Sequence, residues 1–430
     1  MTVTTPEYDL PKPHPDYNLW AGVDAMLLVL ILMLSADMLV QVRVFQSPLW
    51  MLCYALTTLR LAAVWPKFFP VLLRNWVVLL YPAICVISVL WSRTPSYSLT
   101  ASFQLTMTMM MGIFLGWRYS LAVLLKVMAV VLSIGVGLSI LHWATGIFPW
   151  PVYTPIGGLA GLFSSKNMLG LRALFAVIAI CALLLMSRRD VGPVFRQLAL
   201  LALLGNIFAI SLSLSITSVL LLPFMTGILM TLCWHRIPPV LVSAGLLGAL
   251  LALSAGPVML AIYGINPIDA LLGAVGKSST LTGRVYLWQI ALDAYPDQPL
   301  LGLGYRAFWQ APEFANERLA AEAAGATTSR SFHNFALEIL VSVGLVGLLA
   351  IAALIWAGFS RLWRLFYLTR SPVVAGTLSL MVGLVIASLL GTNLYRGHEI
   401  MNVLAVAFAV SAGEDLVRLR MRQDGPEQQI

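Results

Sequence analysis

Apolar runs recur from end to end of this 430-residue chain, and no other feature constrains its fold as tightly. A helix needs ~20 mostly apolar residues to cross a bilayer, and about twelve stretches meet that length. They lie at 20–42, 47–65, 76–92, 98–117, 120–141, 167–187, 196–213, 216–234, 238–263, 334–358, 372–391 and 399–414. Lipid cannot satisfy backbone polar groups, so a span is either helical or part of a closed barrel. The runs are continuous rather than alternating, which selects helices. Charged residues make up only 10% of the chain, against about 25% in soluble domains. The expectation is an all-α polytopic membrane protein of about twelve transmembrane helices.

Lys and Arg fall unevenly between alternate loops, and this bias sets orientation. Lys67, Arg74, Arg118, Arg188, Arg189, Arg196, Arg236, Arg361, Arg364 and Arg370 fall in one set. The other set holds Arg43, Arg93, Lys166 and Arg396. The richer set reads as cytoplasmic, together with an N-terminal tail over 1–19 and a C-terminal tail over 415–430. The first span then acts as an uncleaved insertion signal. Spans one to nine occupy 20–263, and spans ten to twelve occupy 334–414. Between them, residues 264–333 form a large loop facing outward.

That loop is the longest polar stretch inside the chain. Thr282 is placed to cap a helix in which Val285, Trp288, Ala291 and Leu292 recur at helical spacing. Tyr295-Pro296 should end it, Gly302-Leu303-Gly304 reads as a turn, and Glu313–Ala324 suits a second short helix. The net charge of +8 resides in short loops rather than on a basic, aromatic-studded helix, which excludes a nucleic-acid partner. Cys53, Cys85, Cys181 and Cys233 all fall in apolar runs, so no disulfide framework or cysteine metal site is implied. The loop contains no Asp-x-Asp pair and no metal-ligand spacing of histidines. Arginine and lysine must therefore neutralise any developing charge, and no metal or other cofactor is expected.

Of the histidines, His14 lies in the N-terminal tail, His235 in a cytoplasmic loop and His142 at a span end. His333 and His398 sit at the outer ends of spans, where an imidazole can titrate and act as a general base. Asn334 follows His333, and Glu338 lies one helical turn further on, placed to orient the histidine or to pair with an arginine. Arg284 opens the first loop helix, where free N–H groups, the helix dipole and a guanidinium all favour a phosphate. Lys166 and Arg172 flank the outer start of a span, and Arg396 lies beside the outer end of the last two. For each of these the structural alternative is interfacial anchoring or snorkelling.

In chain order these residues form a pattern. It runs Phe163-Ser-Ser-Lys-Asn-Met-Leu-Gly170, then Leu281-Thr-Gly-Arg-Val-Tyr-Leu-Trp288, then Pro299-Leu-Leu-Gly-Leu-Gly-Tyr305. It ends in His333-Asn-x-x-Leu-Glu338 with Gly344 and Gly347. This pattern resembles the O-antigen ligase and Wzy-type polysaccharide polymerase superfamily, and looks closest to its exopolysaccharide polymerases. Two positions depart from it. Ser165 stands where the family often has His, and Ile216 follows Ser213-Leu-Ser215 where ligases tend to carry a basic residue.

The resemblance implies a GT-C-like fold in the bacterial inner membrane and a metal-independent, inverting glycosyltransferase working on the periplasmic side. His333 would act on the acceptor hydroxyl, and Arg284 would hold the donor diphosphate. Lys166, Asn167, Arg172, Tyr305, Asn334, Glu338, Arg396 and His398 would bind substrate around them. The donor would be an oligosaccharide on undecaprenyl diphosphate. The acceptor would be a second such unit in a polymerase, or lipid A–core in a ligase. Membrane lipids, a flippase and a chain-length regulator complete the partners implied.

A rival reading is a secondary transporter, whose ionisable residues gather near the bilayer midplane on broken helices. Asp37, Arg60 and Lys126 are the intramembrane charges available for it. An inverted repeat around a midplane cavity would favour transport, and a charged outward cavity under the loop would favour transfer. A third reading, a scaffold within an export complex, leaves the outward His and Arg residues without a role.

Overall fold

A computed structural model describes residues 20–155, 157–187, 192–234, 284–323, 331–391 and 393–423. The expected span over 238–263, the Thr282 cap, His14, His235 and the outer parts of both tails lie outside these residues. Among the described residues the secondary structure is helical apart from one isolated bridge, between Tyr153 and Leu159. Eight helices are long and apolar enough to cross a membrane, or nine if one sharply bent pair counts as a span.

The long helices are α5 (Pro95–Arg118), α6 (Leu121–Thr145), α7 (Lys166–Leu184), α8 (Pro193–Ser213), α9 (Ile216–Cys233), α12 (Phe335–Thr369), α13 (Pro372–Leu389) and α14 (Ile400–Gln423). Three other expected spans are modified. The first is the sixteen-residue α1 (Trp20–Ser35). The second is α2 (Arg43–Ala63), which turns by 100° into α3 (Trp65–Arg74). The third is the short α4 (Val77–Ile87). The 100° turn is what separates the hydropathy pattern from the helix count here. Two helices at that angle do not both run along the bilayer normal, and α3 carries Lys67 and Arg74.

Helix α14 forms the axis of the bundle, and its apolar window is 83% buried. It lies close against α5 because α5 offers Gly112 and Gly116 on one face. A Cβ added at Gly116 would come within 2.5 Å of the Ala407 carbonyl oxygen. Small residues four apart let helix backbones approach in this way when no hydrophobic effect drives helices together in lipid. Both helices present their loop-side ends, Pro95 and Ile400, to the same end of the bundle as Lys166 and Phe335.

The loop contributes α10 (Arg284–Ala294), a 3₁₀ turn over Tyr295–Asp297, a second over Pro312–Phe314, and α11 (Ala315–Ala323). Pro296 ends α10, as its fixed φ and missing N–H require. Leu287, Ala291, Leu303, Phe308, Trp309 and Phe332 close these pieces around a small core of their own.

The loop is sewn into α12. That helix is broken at Val343 and Gly344, whose backbones leave helical geometry. The break frees backbone groups, and the Pro299–Gly304 segment takes them up. Leu303 and Gly304 donate to the carbonyls of Val341 and Ser342, and Leu345 and Val346 donate to those of Pro299 and Leu300, at 2.9–3.2 Å. The two chains touch so closely that a Cβ on Gly344 would lie 2.2 Å from the Leu300 carbonyl carbon, and one on Gly302 2.4 Å from that of Ser342. Both glycines have φ of +65°, which only glycine adopts without cost.

Candidate active site

Three segments meet at the loop end of the bundle: the start of α10, the turn 331–334 leading into α12, and the segment 390–399 leading into α14. The turn is held from both sides. Glu338, buried on the first turn of α12, accepts a hydrogen bond from the Phe332 N–H at 2.8 Å and one from the Ser331 side chain. Trp288 of α10 donates its indole N–H to the Phe332 carbonyl at 3.0 Å. Asn334 caps α12, its Oδ1 accepting from the N–H groups of Ala336 and Leu337. Such a cap is worth about 1 kcal/mol to the helix. His333, between these fixed points, has φ of +52°, a conformation rare for a residue with a Cβ.

Arg284 sits at the first position of α10 and donates to the Leu390 carbonyl at 3.3 Å, which ties α10 to the third segment. Asn402, in the first turn of α14, donates to the Arg396 carbonyl of that segment at 2.5 Å. The Nε of Arg396 is buried without a hydrogen-bond partner among the described residues. The charges of Arg284 and Arg396 both act on His333. Together with burial, which contributes most, they push its pKa down to about 4. Burial also lowers the Arg284 pKa. A pKa that low leaves the imidazole neutral at neutral pH, with the charges of two guanidiniums acting on it. A neutral imidazole accepts a proton, and two guanidiniums bind a diphosphate. Arg284 and Arg396 thus lie near enough for their charges to act on His333, and Glu338 holds the turn that carries it.

The remaining residues of the sequence reading are placed differently. Tyr305 is wholly buried. Its hydroxyl donates to the Tyr395 carbonyl at 2.7 Å, its N–H donates to Ser88 Oγ and its carbonyl accepts from Ser98 Oγ. The ring anchors the loop to the bundle. Lys166 is half-buried and Asn167 exposed at the start of α7, and neither shares a hydrogen bond or ion pair with the His333 group among the described residues. Ser165 is the N-cap of α7, accepting from the Met168 N–H. That is a position hydroxyl side chains favour over imidazole. Arg172 lies fully buried inside the bundle. It donates to the Ala36 carbonyl at 3.3 Å and faces Glu399 at 3.5 Å.

His398 stacks on Trp50 with ring centroids 4.0 Å apart, and its Nε2 shares a short hydrogen bond with the Tyr54 hydroxyl. Burial, aided by the charge of Arg306, lowers its pKa to about 4. His398 and Arg396 line a cavity of about 510 Å³ together with Asp37 and Glu399. Sequence reasoning missed Glu399, Trp50, Tyr54 and Arg306, since each looks like an ordinary interfacial residue. It flagged Asp37 only as a transporter residue. A signal links several of them in the backbone. Asp37, Arg306, His333 and His398 all have positive φ, and strain of this kind gathers at functional sites. Among the described residues no group of three or more His, Cys, Asp or Glu could hold a metal ion.

Residues 198–352, which include α10, the sewn loop, His333 and the break in α12, match the O-antigen ligase family model. The chain is also 30% identical over 293 residues to the Exopolysaccharide production protein ExoQ of Rhizobium meliloti (strain 1021). That match covers 66% of this chain and 65% of the relative, so the chain spans somewhat less than two thirds of that protein's length.

Proposed function

We propose that this chain, a member of the O-antigen ligase family through its residues 198–352, is a polysaccharide polymerase. It joins oligosaccharide units carried on undecaprenyl diphosphate at the periplasmic face of the bacterial inner membrane. The observation that carries this reading is the turn bearing His333, pinned by Glu338 and Trp288, with Arg284 on the same loop helix as Trp288 and tied to the Leu390 carbonyl. The polymerase form is supported by the likeness to a protein named for exopolysaccharide production. A ligase that transfers the glycan to lipid A–core is the alternative, favoured by the description of the family model itself.

The reaction is a single displacement. An acceptor hydroxyl attacks the anomeric carbon of the donor, and His333 takes its proton as the new C–O bond forms. The bond from that carbon to the diphosphate oxygen breaks, and its electron pair leaves with the phosphate. Arg284 and Arg396 hold the charge that grows there. Attack opposite the leaving group inverts the anomeric centre. Glu338 and Trp288 keep the His333 turn in place, and Asn334 fixes the helix behind it. Lys166 and Asn167, at the rim, meet the outer part of the glycan. The GT-C-like description, the boundaries of the outward loop at 264–333 and the partnership with a flippase and a chain-length regulator belong to the same reading.

Deleting the gene tests it. The expected result is loss of long polymer and accumulation of single lipid-linked units. Normal chains left unattached to lipid A–core would instead identify a ligase, and unchanged surface glycan would exclude both.

A further inference from the structure

The cavity beside Arg396 differs in chemistry from the His333 group. It is formed by the turn after α1, by α2, α5 and the start of α7, and by the 396–399 segment. Its volume of about 510 Å³ falls in the range of small-molecule sites. Arg396 is the only cation among its described lining residues, whereas Asp37 and Glu399 bring two carboxylates, and Gln46, Gln104 and Ser164 bring neutral hydrogen-bonding groups. Two carboxylates disfavour a phosphate, and a wall this polar disfavours a polyprenyl tail.

The cavity is rigidly built. Arg172, with no exposed surface, faces Glu399 Oε2 from behind at 3.5 Å. Asp37 Oδ2 accepts the Ser164 N–H at 3.1 Å. Trp50, 5% exposed, stacks with His398 at an interplanar angle of 13°, and Tyr54 bonds the imidazole. His398 is held again through its N–H, which donates to Thr108 Oγ1 at 2.9 Å. Asp37 and His398 keep positive φ of 71° and 67°, so two of the lining residues are fixed in conformations that cost energy.

We infer that this cavity is a saccharide subsite for an uncharged sugar ring, with hydroxyls donating to Asp37 and Glu399 and the apolar ring face against the Trp50–His398–Tyr54 wall. A pyranose has both features: a rim of hydroxyl donors and a face of C–H groups that packs on aromatic rings. The assignment rests on the glycosyl-transfer reading and divides the substrate in two. The diphosphate lies toward Arg284, the sugar lies toward Glu399, and Arg396 touches both. An anionic sugar is rejected by the same carboxylates that receive a neutral one.

The test uses the full chain in lipid nanodiscs and saturation-transfer NMR titrations. The probes are methyl glucoside, methyl galactoside, N-acetylglucosamine and glucuronic acid. At least one neutral sugar should bind, and glucuronic acid at least tenfold more weakly. Ser47 is exposed at the cavity wall, so Ser47→Trp fills the space without disturbing packed residues. It should raise the Kd for the neutral sugar at least tenfold, as should Glu399→Gln, while His333→Ala leaves it unchanged. Absence of neutral-sugar binding, equal binding by Ser47→Trp, or a preference for glucuronic acid would overturn the subsite. Polymer formation by His333→Ala would sink the reaction and leave the sugar titration readable, so the two failures are distinct.

Discussion

The two ends of the bundle use arginine in opposite ways. At the end away from the loop, guanidiniums are matched to carboxylates. Asp24, with no exposed surface, lies 2.7 Å from both Arg60 and Arg118, and Glu414 lies 2.7 Å from Arg74. At the loop end the matching is looser: Arg172 faces Glu399 at 3.5 Å and leaves Nη1 unpartnered among the described residues, Arg284 donates to a backbone carbonyl, and Arg396 keeps a bare Nε. The Arg93–Glu313 pair there is half exposed on both sides and worth little. Tight pairs hold helices together, whereas loosely matched guanidiniums keep donors to spare for an anion.

The largest effect that would break this contrast concerns His333. His333→Ala should reduce polymer formation about 10²–10⁴-fold with unchanged protein in the membrane, scored by gel analysis of glycan against immunoblot. Long chains at normal levels would remove His333 from the reaction.

Arg284→Ala and Arg396→Ala should each slow turnover by about 10²–10³-fold and weaken pyrophosphate binding measured by calorimetry, with little change in melting temperature. Asp24→Ala should do the reverse. It leaves two guanidiniums buried without their shared carboxylate, at a cost of about 3–5 kcal/mol visible in thermal unfolding, while turnover per folded molecule is retained. If Arg284→Ala destabilised the protein as strongly as Asp24→Ala, the two ends would not differ in kind.

The smallest effect sharpens the comparison through pH. The folded pKa of His333, about 4, lies below its unfolded value of about 6.5. The neutral base therefore persists well into acid, and kcat/KM should fall only near pH 4. The stability linked to this group is intact above pH 6.5 and is lost as pH drops through that window. Removing Arg284 or Arg396 takes away a like charge, so the acid limb should move up by about one unit. Bound diphosphate does the same, which places the limb of kcat above that of kcat/KM. An acid limb that stayed put in both variants would separate the arginines from the imidazole.

The residues of the proposed His333 group stand out in the sequence because their types are rare in a membrane chain: one histidine and two arginines at span ends. The eight long helices were legible for the complementary reason, since span length is a one-dimensional property. Helix α3 was not, because its Lys67 and Arg74 read as a loop between spans. Tyr305 illustrates another limit. A tyrosine in a glycine-rich loop reads as a ligand contact, yet its phenol is taken up by the Tyr395 carbonyl 90 positions away. Glu399 was invisible for a similar reason, since its meaning depends on Arg172, 227 positions earlier.

The stitching of residues 299–304 into the broken turn of α12 has a mechanical consequence. A helix embedded in lipid tilts to suit the thickness of its bilayer, and this one carries residues 299–304 on its shaft. That segment follows the tilt as the outboard end of a lever whose other arm lies among acyl chains. Lipid composition thus has a direct grip on how the segment sits at the end of the bundle.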